Sequence, residues 1–416
     1  MKLPKIDLEG AQPGAPAQPR TFWSTVLTST PVILTVLSTV LAGLSSSELT
    51  QAQYHRSLAA QNQSKAGDQW SFFQNKRIRG TNQEMAVDLL QTQAEPGKFT
   101  SAAFQASGQR LLGEIQGIEK QASRLGDLLG PAKASLGAGN ALPEAVNRLL
   151  VSAIQEAKEA EITAAKIQQA LGQGDVQKAL DHLSKNELPD VSIDKKEEPR
   201  IREASNAIQA RQPESEIAPF MAQIPEEMIR EAIERTEANI RIVEGEDKPI
   251  TDVLRRLDGL VRDQVLRTRA LQRGIRDVTS ALAILPASEG KPLADLRSAA
   301  GALSHSGAAI KNTANDWSSD FKGAQYGYMA KRYQREANYN LQAAVLYELQ
   351  VRKSSVSSER LRQRSKFFFY GMLVSQAGVT FASFSLAVRR RSLLWSLASL
   401  AGLCAILSGI YVYVRM

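Results

Sequence analysis

Two uncharged runs separated by three arginines close the sequence, and they constrain the fold more than any other feature. Phe367 to Val388 carries no charge, Arg389, Arg390 and Arg391 follow, and Ser392 to Val414 is uncharged again. A helix needs about 20 apolar residues to cross the roughly 30 Å hydrocarbon core, and in that solvent only helices and closed barrels satisfy their own backbone. A link of three residues can join only antiparallel neighbours. The expected structure is a helical hairpin in a bilayer: 366–388 as one span, 389–391 as a basic link and 392–414 as the next.

A further candidate span, 21–46, lies near the other end, because Phe22 to Leu44 is also uncharged and Trp23 would sit at headgroup level. Pro31 should kink it unless neighbouring Ser and Thr hydroxyls take up the carbonyls that proline leaves free. A cleaved signal peptide is the rival reading, with the Ser-rich stretch after Ala42 as the processing site. Residues 1–20 are rich in Pro, Gly and Ala, a composition that buries no core and reads as a disordered tail.

Between these spans the sequence is helical and soluble. Val146, Leu150, Ala153, Ala157, Ala160, Ala164, Ile167 and Leu171 alternate spacings of four and three. Ile250, Leu254, Leu257, Val261, Gln264, Thr268, Leu271, Ile275, Val278, Leu282 and Leu285 do the same, with only Gln264 and Thr268 polar. Ile229, Ile233, Thr236, Ile240 and Val243 add a shorter seam. A narrow apolar seam at a 3.5-residue period predicts helices wrapped on one another as a coiled-coil-like bundle, and the alanines of the first seam allow close approach.

Prolines mark the expected helix ends at Glu95-Pro96-Gly97, Gly130-Pro131, Leu188-Pro189, Pro213, Pro219, Gly245 with Pro249, and Pro286 through Pro292. The stretch from Pro189 to Pro225, with its DKKEEPR run, reads as an irregular connection. Six or seven soluble helices are expected, the first (47–95) and last (293–365) running directly into membrane helices. Leu171 to Asp190 has the flavour of one tetratricopeptide unit, but a single copy builds no solenoid, and helix, Gly-Asp turn and short helix is the plainer reading.

The motif Asp68, Gln69, Trp70, Phe72, Phe73, Gln74, Lys76 follows the first span. Trp70 and Phe73 share one helical face, with Asp68 and Lys76 flanking them. They read as an aromatic anchor packing this stalk against the returning helix, where Ala330, Tyr333, Ala337, Asn340, Ala344, Tyr347 and Val351 keep a four-three spacing. Asn340 in that seam would specify register at some cost in stability. The motif and the terminal hairpin, whose arginine link is followed by Trp395, together resemble a bacterial membrane family known only as a domain of unknown function, DUF4337. That resemblance implies topology and no activity. The family joins the two parts by a shorter helical segment, so the resemblance implies that 96–292 is a long helical insertion.

Three spans put the N-terminal tail and the link on one side, the helical domain and the C-terminus on the other. Lys2, Lys5, Arg20 and the triple arginine favour a cytoplasmic tail and link, against Arg352, Lys353, Arg360, Arg362, Arg364 and Lys366 on the domain side. The expected location is a bacterial inner membrane with the helical domain extracytoplasmic. No Asp, Glu, Lys, Arg or His lies within the three runs, which disfavours conduction, although an oligomeric pore lined by Ser, Thr and Gln376 stays open as an alternative. Small residues at Gly371, Ser375, Gly378 and Ala382, and at Ala401, Ala405 and Gly409, should serve close helix packing.

No constellation that carries chemistry stands out in the sequence. His55, His182 and His305 are isolated, the single cysteine, Cys404, lies in the last span, and no phosphate-binding loop, dinucleotide fingerprint or nucleophile elbow occurs. The net charge of +8 is spread along helices, with no nucleic-acid stripe. The sequence therefore predicts an all-α, non-enzymatic membrane protein without a cofactor, small-molecule substrate or nucleic-acid partner. It should act as a self-associating scaffold in the lipid bilayer, either as a homo-oligomer or with a membrane-complex partner. The alternatives are an extracytoplasmic sensor signalling through a membrane partner, and a channel or transport subunit.

Overall fold

The computed structural model describes residues 22–93, 99–136, 142–194, 196, 198–284, 290–387 and 391–415. Among them the chain is helical, without a strand. The helices are α1 (Phe22–Gln93), α2 (Ser101–Leu136), α3 (Leu142–Leu171), α4 (Gly174–Lys185), α5 (Pro199–Gln209), α6 (Glu214–Gln223), α7 (Glu226–Ala283), α8 (Lys291–Ala387) and α9 (Arg391–Arg415). Three of them, α1, α8 and α9, contain stretches long and apolar enough to cross a membrane. The expected tail 1–20 and the link residues Arg389 and Arg390 lie outside the described residues.

The chain divides into two compact units. One comprises 1–64, 210–226 and 347–416, the other 65–209 and 227–346. In the first unit, Leu41 packs with Phe368, Ala405 and Val412, and Leu34 with Ala382 and Ala398, so the start of α1, the end of α8 and α9 form one three-helix seam. Polar atoms in this seam are returned to backbone. Ser45 and Ser365 each donate to the other's carbonyl, at 3.0 and 2.9 Å, and Ser375 donates to the Leu34 carbonyl at 2.9 Å. Around Pro31, the Ser29 and Thr30 hydroxyls both donate to the Val26 carbonyl, one residue before the carbonyl that the proline itself leaves free, and α1 continues through the proline. In α6, Ile217 and Met221 are buried, as is Ile224 just beyond it. The Lys353 ammonium caps that helix end by donating to the Met221 carbonyl at 2.7 Å, where a cation complements the helix dipole.

The second unit holds the main core. Each of the eight seam positions from Val146 to Leu171 is buried on α3, and on α7 the seam from Ile250 to Leu282 is buried throughout, its polar pair Gln264 and Thr268 included; Leu285 lies outside the described residues. Small residues set the spacing. A Cβ on Gly274 would stand 3.3 Å from the Ala153 Cβ, and one on Gly126 would stand 3.2 Å from Leu150. The contacts of Gly108 with Gln168 and Gly126 with Leu150 make α2 and α3 antiparallel. One end of the core is aromatic: Phe104 stacks on Trp317 at 4.9 Å and on Phe321 at 5.3 Å, and the Trp317 indole N–H donates to the Phe104 carbonyl at 3.0 Å.

Three expected helix ends are not ends. Pro131, Pro219 and Pro249 lie inside α2, α6 and α7. Proline removes one backbone bond and crowds the carbonyl four residues back. For Pro249 that carbonyl belongs to Gly245, and both residues are exposed, so water can take the freed acceptor. The stretch 189–225 is irregular only in part, because it contains α5 and α6. Ile201, Ala204 and Ile208 on the first, and Ile217, Met221 and Ile224 around the second, give each an apolar face that burial stabilises. Counting the helices that run into the candidate spans, α1 to α8 make eight where six or seven were expected.

Candidate functional site

The most concentrated polar chemistry lies within the second unit, where α1, α7 and α8 meet. Glu336 of α8 has a fully buried side chain and accepts from the Lys76 ammonium of α1 and, at 2.7 Å, from Arg332 one turn earlier. Asp247 of α7 is equally buried and accepts from Arg335. Arg332 also donates to the Thr251 hydroxyl at 2.7 Å, and that hydroxyl donates to the Asp247 carbonyl at 2.8 Å. Two buried carboxylates are thus held by three partly covered cations. Removing one partner from such a set leaves a charge in a medium that cannot solvate it.

The same network reaches outwards. Lys76 is 3.8 Å from Glu244 and 6.0 Å from the centre of the Tyr333 ring. Arg335 donates to the Pro189 carbonyl at 2.9 Å, and Lys331 to that of Asn186 at 2.8 Å, so α8 fastens the end of the α4 loop. Asn186 itself takes a left-handed φ of 50° as the C-cap of α4. Tyr328 is fully buried with no partner for its hydroxyl among the described residues. Burial and the nearby Asp247 carboxylate push its phenol well above the ordinary range, against the opposing pull of Arg335 and Arg332.

The stalk motif lies on this part of α1. Trp70 and Phe73 meet edge to face at 5.7 Å and are half-buried. Gly80, one turn beyond Lys76, lies where a Cβ would be 3.6 Å from the Ala330 carbonyl, so α1 and α8 run close together here. Asp68 and Gln74 are exposed, Gln69 is half-buried, and the Asn340 amide donates at 2.7 Å to the Glu336 carbonyl of its own helix. The structure therefore joins Lys76 to Glu336 and leaves Asp68 and Gln74 out of the network.

A cavity of about 570 Å³ in the same unit is lined by the stretch around Asp194, by α5, and by parts of α7 and α8. Asn239 clamps the Asp194 backbone, accepting at 3.2 Å and donating at 3.0 Å, and Arg235 pairs with the Asp194 carboxylate at 3.2 Å. Glu198 and Glu231 face Arg202 and Arg235 around it, so the lining carries both signs and no single field to select an ion. Of the histidines, His55 is 4.0 Å from Glu226 and His182 is 3.0 Å from the Glu187 carbonyl.

In the first unit the small residues occupy helix contacts. A Cβ on Gly371 would be 3.3 Å from Leu41, one on Gly378 would be 3.1 Å from the Ala401 Cβ, and one on Gly409 would be 3.7 Å from Leu41. Ser375 and Ala405 are fully buried. Arg391 begins α9, and Trp395 is half-buried in its first turns.

No curated protein and no solved structure matches the chain. One family model does match, over residues 23–129, and the match passes residue 96, where the resemblance placed the start of an insertion, into α2. It takes in the first candidate span and the whole Asp-Gln-Trp stalk, so this part of the chain is similar to the family described as a domain of unknown function, DUF4337.

Proposed function

We propose that this is a non-enzymatic integral membrane protein with three spans, whose helical region serves as a self-associating interaction scaffold. The observation that carries this reading is the way α1, α8 and α9 divide their surfaces. Small residues and backbone-bonded hydroxyls face one another, while Val32, Ile33, Val36, Leu400, Leu403 and Leu407 are exposed, as side chains bathed in acyl chains would be. The lipid bilayer is the first partner. The basic link and N-terminal charges support an inner-membrane orientation with the helical region extracytoplasmic.

The test is oligomeric mass. The full chain purified into lipid nanodiscs or mild detergent should give, by light scattering, a mass that is a multiple of the protomer over a wide concentration range; a monomer throughout would overturn the scaffold reading. The cavity beside Asp194 supports a second reading, an extracytoplasmic sensor. A small-molecule screen that raises the melting temperature of wild type, and not of an Asn239→Ala variant, would favour it over the scaffold.

A further inference from the structure

Near the middle of the uncharged run Phe367–Val388 stands a side chain that hydrocarbon cannot solvate. Gln376 is exposed on α8, and its amide has no hydrogen-bond partner among the described residues. Some hydroxyls here turn back onto their own helix: Thr380 donates to the Gln376 carbonyl at 3.1 Å, Ser385 to that of Ala382 at 2.7 Å, and Thr39 to that of Thr35 at 2.9 Å, while Ser45, Ser365 and Ser375 donate to carbonyls of neighbouring helices. A glutamine amide instead presents two donors and an acceptor farther out. Uncompensated, such a group in an apolar medium costs several kcal/mol.

The residues around it are spaced for another helix. Gly371, Ser375, Gly378 and Ala382 face α1 and α9, whereas Phe369, Leu373, Gln376, Thr380 and Ser383 follow a four-three-four-three spacing on the uncovered side, and all five are exposed. That is the seam of two helices crossing at a shallow angle, with the small side chains of Thr380 and Ser383 at one end to permit close approach. Two copies inserted in the same orientation carry Gln376 at the same depth. An amide is also its own complement, so a twofold axis along the membrane normal lets each donate to the other. We propose that this face of α8 pairs with the same face of a second copy of the chain, the two Gln376 amides hydrogen-bonding to each other inside the bilayer. The proposal rests on the reading that α8 crosses the membrane and that the chain self-associates.

The experiment uses the full chain with Cys404→Ser, reconstituted in lipid vesicles. Ser383→Cys, a near-isosteric change, should form a disulfide-linked dimer on mild oxidation, whereas Leu403→Cys on the exposed side of α9 should not. Adding Gln376→Leu should weaken dimer formation about tenfold without lowering the melting temperature of the protomer fold, because the amide makes no hydrogen bond to the described residues of its own chain. If light scattering shows an oligomer but Ser383→Cys stays uncrosslinked, or crosslinks equally with Gln376→Leu, the assignment of this face is overturned and self-association stands. If the chain is monomeric in every preparation, both fail together.

Discussion

Lys76 in α1 and Glu336 in α8 stand 260 residues apart in sequence and form a salt bridge in which the carboxylate is fully buried. The pair fastens the stalk helix to the returning helix within the second unit. A buried pair of this kind adds little over two well-packed apolar residues, yet losing one partner is costly.

Replacing Lys76 with Met should therefore destabilise the chain by about 3 kcal/mol, since Glu336 would keep only Arg332. Adding Glu336→Leu should recover most of that loss. Chemical denaturation of the purified chain measures both. An exposed pair such as Arg110 with Glu114 is the comparison, and a Lys76→Met loss no larger than that of Arg110→Ala would contradict the account.

Tyr328 gives the network a signature in alkali. Its phenol is held above the ordinary value of 10.0 by burial first and by Asp247 second. Because the folded pKa is the higher one, the contribution to stability is fully present below about pH 10 and is lost as pH rises past that value towards the folded pKa. Tyr328→Phe removes this dependence, so its melting temperature should fall less than that of wild type between about pH 9.5 and 11. At neutral pH the variant should be as stable as wild type or better by about 1 kcal/mol, because the hydroxyl it removes has no partner among the described residues.

In the three-helix seam, Gly378 and Gly409 should respond differently to the same added methyl. A Cβ at 378 meets the Ala401 Cβ at 3.1 Å, an atom fixed to its backbone, so α8 and α9 must move apart. At 409 the neighbour is the end of Leu41 at 3.7 Å, an ordinary contact. Gly378→Ala should cost about 1 kcal/mol and Gly378→Ile about 3, while Gly409→Ala should be nearly neutral, as read by thermal unfolding in detergent.

The sequence showed the helical class, the candidate spans and the buried stripes, because each rests on periodicity or on the absence of charge over a long run. It hid the charge network for an identifiable reason. Gly245 and Pro249 read as a helix end, so Val243 and Ile250 appeared to belong to separate seams. Once α7 is continuous, Asp247 falls on the same four-three spacing between them, and a carboxylate at a seam position demands buried cations. Arg332 and Arg335 carry no sequence signal of burial, since nothing local tells which α8 face another helix covers. Trp317, stacked on Phe104, joins residues 213 apart and has no local signal at all. Pro189 to Pro225 concealed α5 and α6 because its charges and prolines mask two short apolar faces.

The measurement that bears most directly on the account is the sidedness of two single cysteines in a Cys404→Ser background: Ser192→Cys in the exposed stretch after α4, and Arg390→Cys between α8 and α9. A membrane-impermeant maleimide applied to intact and then permeabilised cells should find them on opposite sides, with Ser192→Cys labelled first and Arg390→Cys only after permeabilisation. Labelling of both from the same side would contradict the crossing by α8 on which the scaffold, its orientation and its pairing through Gln376 depend.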